Sequence, residues 1–98
     1  MISIKVYKKG KDLLIGACDE TLIGKTFEEG KFHLEVKKEF YDGERVTKEV
    51  FKRILDSATI ANLVGKATIK AAIEIGLVDP GCVIKIKGIP HAQMVRML

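Results

Sequence analysis

The sequence has no tryptophan, only two cysteines and two prolines, and no long run of apolar residues. A membrane-spanning helix needs about 20 largely apolar residues, whereas the longest stretch without a charged side chain, residues 57–65, is less than half as long. Residues 2–9 alternate between apolar and polar side chains and lack the unbroken apolar segment of a signal peptide. We therefore predict a soluble, cytoplasmic protein with no membrane partner.

The few cysteines and histidines exclude the common metal and redox motifs. Cys18 and Cys82 form no Cys-x-x-Cys unit, so neither a zinc ribbon nor a thioredoxin-type motif is indicated. His33 and His91 are single residues that add no pair at the spacing of a zinc site. We expect no metal, no cofactor and two reduced, buried thiols, while a disulfide between them depends on a geometry that the sequence does not give.

The charge of the chain is distributed unevenly. The net charge is +4, with ten basic and ten acidic residues in positions 1–50 but seven basic and three acidic residues in positions 51–98. All six aromatic residues lie within the first 51 positions. The second half therefore carries the basic excess that phosphate groups attract, but almost no rings on which bases stack.

The apolar pattern predicts one α+β domain over residues 1–98. Alternation in residues 2–9 and the apolar run 13–18 indicate a β-hairpin, and residues 32–36 alternate as a third strand. Residues 19–30 are interpreted as a loop with room for one helical turn. Residues 58–64 fit either a buried helical turn or a short strand, and Asn62 within them is interpreted as a turn or cap residue.

The second half of the chain carries helix signals. Thr47 is a suitable N-cap for a helix to about Asp56, and a second helix runs from Lys66 to about Ile75 with Gly76 as its terminator. Strands are expected at residues 82–87 and 91–98, interrupted by Gly88-Ile89-Pro90. The expected architecture is a mixed, mostly antiparallel sheet of about five strands with two or three helices packed on one face.

Two motifs suggest catalysis, but neither is complete. Gly24-Lys25-Thr26 is similar to the end of a phosphate-binding loop, yet the required first glycine is replaced by Asp19. Cys18 and His91 would suit a nucleophile and its base, but carboxylates directly after Cys18 disfavour a thiolate. We assign no catalytic residue. The alternative function, an enzyme or small-ligand binder, would use a site around five residues: Cys18, Asp19, Glu20, Lys25 and His91.

A basic surface beside a rigid turn is the leading candidate for binding. Lys85 and Lys87 share a face of the predicted strand, and His91 and Gln93 share a face of the next one. The lysines suit phosphate groups, while His91 and Gln93 suit a carbonyl, a phosphate or a base edge. The structural alternative is a solvated lysine face and polar groups that satisfy turn carbonyls.

Three segments carry a family resemblance: Cys18–Glu20 followed by Leu22–Phe27, then Asn62–Gly65, then Ile89–Gln93. Together they resemble the archaeal family called domain of unknown function 424 over nearly the whole chain. The resemblance implies an archaeal, cytoplasmic protein and supplies no catalytic residues, and its link to translation favours RNA or a ribonucleoprotein as partner. We therefore expect a non-enzymatic binding module in information processing, with a homodimer also open.

Overall fold

The structure is a computed structural model that describes residues 1–96. Eight strands are formed: β1 Ile2–Lys9, β2 Asp12–Asp19, β3 Thr26–Glu29, β4 Phe32–Glu35, β5 Glu44–Val46, β6 Ile60–Val64, β7 Ile84–Ile86 and β8 Ile89–Val95. The helices are α1 Lys38–Tyr41, α2 Lys48–Leu55 and α3 Lys66–Glu74, with 3₁₀ turns at Glu20–Leu22 and Pro80–Cys82.

Six of the strands form one sheet in the order β5-β1-β2-β6-β8-β7, and β3 pairs only with β4. Every neighbouring pair in the large sheet is antiparallel except β2 and β6, which are parallel. A parallel pair needs a long crossover, and residues 20–59, which include α2, supply it. The predicted mixed, mostly antiparallel α+β domain is confirmed, with six strands in the main sheet where about five were expected and a separate two-stranded sheet.

The ambiguous segment 58–64 contains a strand, β6, at the centre of the sheet. Ala61 and Leu63 contact the core on one face, and Val64 contacts a second apolar cluster on the other. A strand covered on both faces carries a nearly continuous apolar run, so its sequence does not alternate. Asn62 therefore lies in a strand and not in a turn or cap as predicted.

Helices α2 and α3 pack on one face of the sheet and form the main core with it. Local signals placed both helices correctly, since Thr47 accepts a hydrogen bond from the Val50 amide at 3.3 Å and Gly76 has φ of 77°. The buried members of this core come from both helices and from the strands beneath them. Its largest side chain is Phe51, which is fully buried.

The opposite face of the sheet is covered by α1 and the β3–β4 hairpin. Their side chains pack with the sheet in a smaller apolar cluster: Cys18, Leu22, Leu34, Val36, Tyr41, Val64 and Ile86. Residues 19–30, which were predicted as a loop, contain the strand β3. The only large apolar residue of β3, Phe27, is half-buried. The strand predicted at 32–36 pairs with β3 and lies outside the main sheet.

The β7–β8 connection is a two-residue hairpin turn. Lys87 and Gly88 both have positive φ, 54° and 76°, as the tight primed turns of hairpins require. Ile89 and Pro90 therefore belong to β8 and do not interrupt it, and Lys87 lies in the turn and not in a strand. Of the strand predicted over 91–98, residues 97–98 lie outside the described residues.

Candidate functional site

Asp19 caps helix α3 from a distant part of the chain. Its Oδ1 accepts hydrogen bonds from the Thr68 amide at 2.9 Å and the Thr68 hydroxyl at 2.8 Å, and its Oδ2 accepts one from the Ala67 amide at 3.2 Å. Amides in the first turn of a helix have no hydrogen-bond partner within the helix, so a carboxylate there can accept hydrogen bonds from them. Its negative charge also interacts favourably with the positive end of the helix dipole. The Asp19 carboxylate is therefore engaged in capping α3.

Glu20 and Lys25 also belong to local structure. The Glu20 carboxylate lies 3.3 Å from the amino terminus of Met1 and 3.5 Å from Nε of Arg45. The Lys25 backbone donates to Leu22 and accepts from Val36, which closes the turn after the 3₁₀ segment. The Lys25 side chain is exposed.

Cys18 is fully buried and does not reach His91. Cys18, Val64 and His91 lie in register on three neighbouring strands, so Val64 separates the thiol from the imidazole by two strand spacings, about 10 Å. Burial, with a smaller contribution from the Asp19 carboxylate, raises the pKa of the Cys18 thiol to about 12. A thiol in this state is not a nucleophile at neutral pH.

Thiol labelling will distinguish the two cysteines. Cys82 is exposed, contrary to the expectation that both are buried, so one N-ethylmaleimide adduct per folded chain is expected at about pH 7.5, at Cys82. The thiolate fraction of Cys18 is about a thousandfold below that of an ordinary thiol because its pKa rises from 9.0 to about 12.

Mass spectrometry before and after urea unfolding measures the number of adducts. The Cys82→Ser variant is the control and should remain unlabelled while folded. Labelling of Cys18 in the folded chain at a rate within about tenfold of Cys82 would contradict its burial.

A groove between α3 and the β7–β8 hairpin contains Lys85. It has a volume of about 600 Å³, and lysines from both elements line it: Lys66, Lys70 and Lys85. Its remaining lining is mostly apolar and includes Ile69, Ile73 and Pro90. The groove therefore combines an apolar floor with a cationic rim.

Glu74 also lines the groove, and two further lysines, Lys48 and Lys52, lie near its carboxylate. The Lys52 ammonium lies 3.1 Å from the Glu74 carboxylate. Its hydrogen bond lowers the pKa of Glu74, and the charges of Lys70 and Lys48 lower it further. We call Lys48, Lys52, Lys66, Lys70 and Lys85 the lysine face. Of these five, only Lys85 was predicted from the sequence as a binding residue, although the i, i+4 spacing of the two helical pairs indicates that each pair shares one side of its helix.

The binding residues predicted from the sequence do not lie on one surface. Lys85 pairs with Pro90 and lies on the helix side of the sheet. Lys87 lies in the turn, where its amide donates to the Glu29 carboxylate at 2.7 Å. His91 and Gln93 do share a face, but it is the opposite one, covered by α1 and the β3–β4 hairpin.

His91 and Gln93 line a second concavity, which we call the polar cleft. It has a volume of about 470 Å³ and lies between the sheet and the segment 33–41. Asn62 is directly opposite Gln93 on the neighbouring strand and also lines the cleft. Asn62 was not among the predicted binding residues because the sequence left its segment ambiguous between helix and strand, although a carboxamide in an apolar segment is a usable signal.

Within residues 1–96, no three His, Cys, Asp or Glu side chains are grouped in a way that could hold a metal ion. His33, one of the metal candidates considered from sequence, is exposed and lies 2.8 Å from the Glu28 carboxylate through Nδ1. None of the helices in the described part of the chain is long and apolar enough to cross a membrane.

Comparisons with known proteins agree with this fold. A family described as "Protein of unknown function (DUF424)" matches residues 7–97. A crystal structure of an uncharacterized conserved protein from Methanopyrus kandleri is similar, with a TM-score of 0.76, 17% sequence identity and coverage of 99% of this chain and 95% of that one. At 17% identity this similarity shows a shared fold and nothing more. No curated protein matches the chain.

Proposed function

This chain belongs to the family of proteins of unknown function DUF424, and we propose that it is a non-enzymatic module that contacts the phosphates of RNA or of a ribonucleoprotein through the lysine face. The observation that carries the proposal is the grouping of the lysine face: Lys66, Lys70 and Lys85 line the groove, and Lys48 and Lys52 lie with Lys70 near the Glu74 carboxylate. Cationic side chains that neutralise phosphates release counterions, and this release drives binding without reading sequence.

The form of the lysine face also supports this role. Helices α2 and α3 contribute two lysines each, and β7 adds Lys85 across the groove. Rigid elements hold cations at fixed separations, which suits the regular spacing of phosphates better than lysines on loops. The apolar floor of the groove offers a surface for ribose or for the face of a base.

The test is fluorescence anisotropy with labelled single-stranded and structured RNA over a salt series. Reversing three groove lysines, Lys66→Glu with Lys70→Glu and Lys85→Glu, should weaken binding roughly 100-fold at moderate salt. It should also lower the slope of log affinity against log salt by about 0.7–0.9 for each phosphate that is no longer neutralised, hence by about two to three in total. The decrease in slope counts the phosphates that these residues contact.

The matched control is the triple reversal Lys8→Glu, Lys9→Glu and Lys11→Glu. These lysines are exposed at the end of the β1–β2 hairpin and change the net charge by the same amount. The control should leave the salt slope within about 0.5 of the wild-type value. An equal loss of affinity in both variants would show that only net charge matters, and absence of RNA binding at low salt would refute the proposal.

A further inference from the structure

The polar cleft gathers every carboxamide and every imidazole side chain of this chain. The sequence contains one asparagine, one glutamine and two histidines. All four line this cleft: His33, Asn62, His91 and Gln93. They come from three different strands, so only the sheet pairing and the hairpin above it bring them together.

The floor of the cleft presents two carboxamides side by side. Asn62 and Gln93 are in register on antiparallel strands, which places their Cβ atoms about 5 Å apart on the same face. Asn62 is half-buried and Gln93 is exposed. Among residues 1–96 no buried side-chain nitrogen or oxygen lacks a partner, so the open polar groups of the floor face solvent that a ligand can replace.

His91 is oriented by the sheet itself. Its Nδ1 lies 3.0 Å from the Leu63 carbonyl oxygen, and because a carbonyl only accepts, Nδ1 must carry the hydrogen. Nε2 of the neutral ring is then an acceptor. The floor therefore offers two groups that donate and accept together, with a fixed imidazole next to them.

The walls of the cleft add an aromatic ring and a cation. Phe40 lies against Gly16, so close that a Cβ on Gly16 would be 2.6 Å from the Phe40 ring. Gly16 is the in-register neighbour of Asn62, so the absent side chain lets the ring lie beside the carboxamide. Lys37 lines the rim, and Glu35, which also lines the cleft, can accept hydrogen bonds from hydroxyl groups.

We propose that the polar cleft binds an adenine nucleotide, with the base against Asn62 and Gln93 and the phosphate towards Lys37. A carboxamide pairs with adenine through its adjacent N6 donor and N7 acceptor. The cleft volume of about 470 Å³ falls within the roughly 300–1,000 Å³ of small-molecule sites. A free mononucleotide and an unpaired adenosine of RNA share this chemistry.

The polar cleft and the lysine face lie on opposite faces of the sheet and share no residue, so nucleotide binding and RNA binding can be tested independently. The test is titration of ¹⁵N-labelled protein with AMP, followed by the side-chain amide signals. One asparagine and one glutamine give two side-chain NH₂ pairs, and both pairs should shift and saturate. The bidentate contact to N6 and N7 needs one carboxamide, so whichever of Asn62→Asp and Gln93→Glu removes it should weaken binding about 5- to 150-fold, and the other variant should weaken binding less.

Comparison ligands and variants complete the experiment. The triple reversal of Lys66, Lys70 and Lys85 should leave AMP affinity within about twofold, since these residues lie outside the cleft. Equal shifts with UMP or inorganic phosphate would overturn base recognition, and unshifted amide signals at millimolar AMP would overturn the site. Tighter binding of an oligo(A) than of AMP, abolished in Gln93→Glu, would identify RNA as the source of the nucleotide, whereas equal affinities would identify the free nucleotide.

Discussion

Replacing Gly65 by alanine is expected to lower the free energy of unfolding by roughly 1.5–5 kcal/mol. Gly65 precedes α3 with φ of 111° and ψ of 155°, a conformation that is essentially restricted to glycine and costs other residues about 1–3 kcal/mol. An added Cβ would also approach Cγ of Asp19 far inside van der Waals contact. The carboxylate would have to move away from the helix amides that it caps, which costs roughly a further 0.5–2 kcal/mol.

Urea unfolding followed by circular dichroism measures the loss, and Gly30→Ala is the matched control. Gly30 also has positive φ, 59°, but nothing lies within 4 Å of its added Cβ, so only backbone strain of about 1–2 kcal/mol is expected. Asp19→Ala should cost about 1–2 kcal/mol, and the Gly65→Ala/Asp19→Ala double variant should cost less than the sum of the two. If Gly65→Ala were no more harmful than Gly30→Ala, the contact with Asp19 would not matter.

Truncating Phe51 to alanine is expected to cost about 3–5 kcal/mol of unfolding free energy. Phe51 is fully buried and is the largest such side chain in the described chain, and it joins α2 to the sheet in the main core. Its removal loses apolar burial and leaves a cavity that a packed interior fills only partly. Since small domains are typically stable by about 5–15 kcal/mol, a large part of the stability should disappear.

The control for this change is Phe32→Ala, the same chemical truncation at a side chain with 52% of its surface exposed. It should lower the free energy of unfolding by no more than about 1 kcal/mol, because about half of that side chain already contacts water. Phe51→Leu keeps most of the apolar volume and gives a measurable transition if Phe51→Ala does not fold. Equal losses for Phe51→Ala and Phe32→Ala would contradict the assignment of Phe51 to the core.

The sequence by itself determined the elements whose signals lie within a few residues of one another. Thr47 and the Val50 amide that it caps are three positions apart, and the β1–β2 hairpin follows from alternation before a short turn and an apolar run after it. Short strands with few apolar residues were missed: β3 contains only Phe27 as a large apolar residue, and β5 contains only Val46. Their strand state depends on partners that periodicity does not show.

Strand pairing determined which residues line the polar cleft and which line the groove. Cys18 and His91 share a sheet face, yet Val64 lies between them, and this separation follows from the order of the strands and not from local sequence. The two-residue turn at Lys87 and Gly88 likewise places Lys85 and His91 on opposite faces of the sheet. Alternation predicts which neighbours share a face of one strand, but not which strand lies beside it.

Asp19 shows, within one residue, the difference between what local sequence predicts and what the tertiary structure determines. The sequence indicates that a carboxylate after a strand caps backbone amides, because short polar side chains satisfy unpaired amides in turns. Only the tertiary structure reveals that those amides belong to α3, with Thr68 49 positions further along the chain. Composition and local periodicity thus determined the fold class and most elements of this protein. The pairing of distant strands decided which side chains share a surface, because hydrogen-bond register between strands depends on contacts that no local window contains.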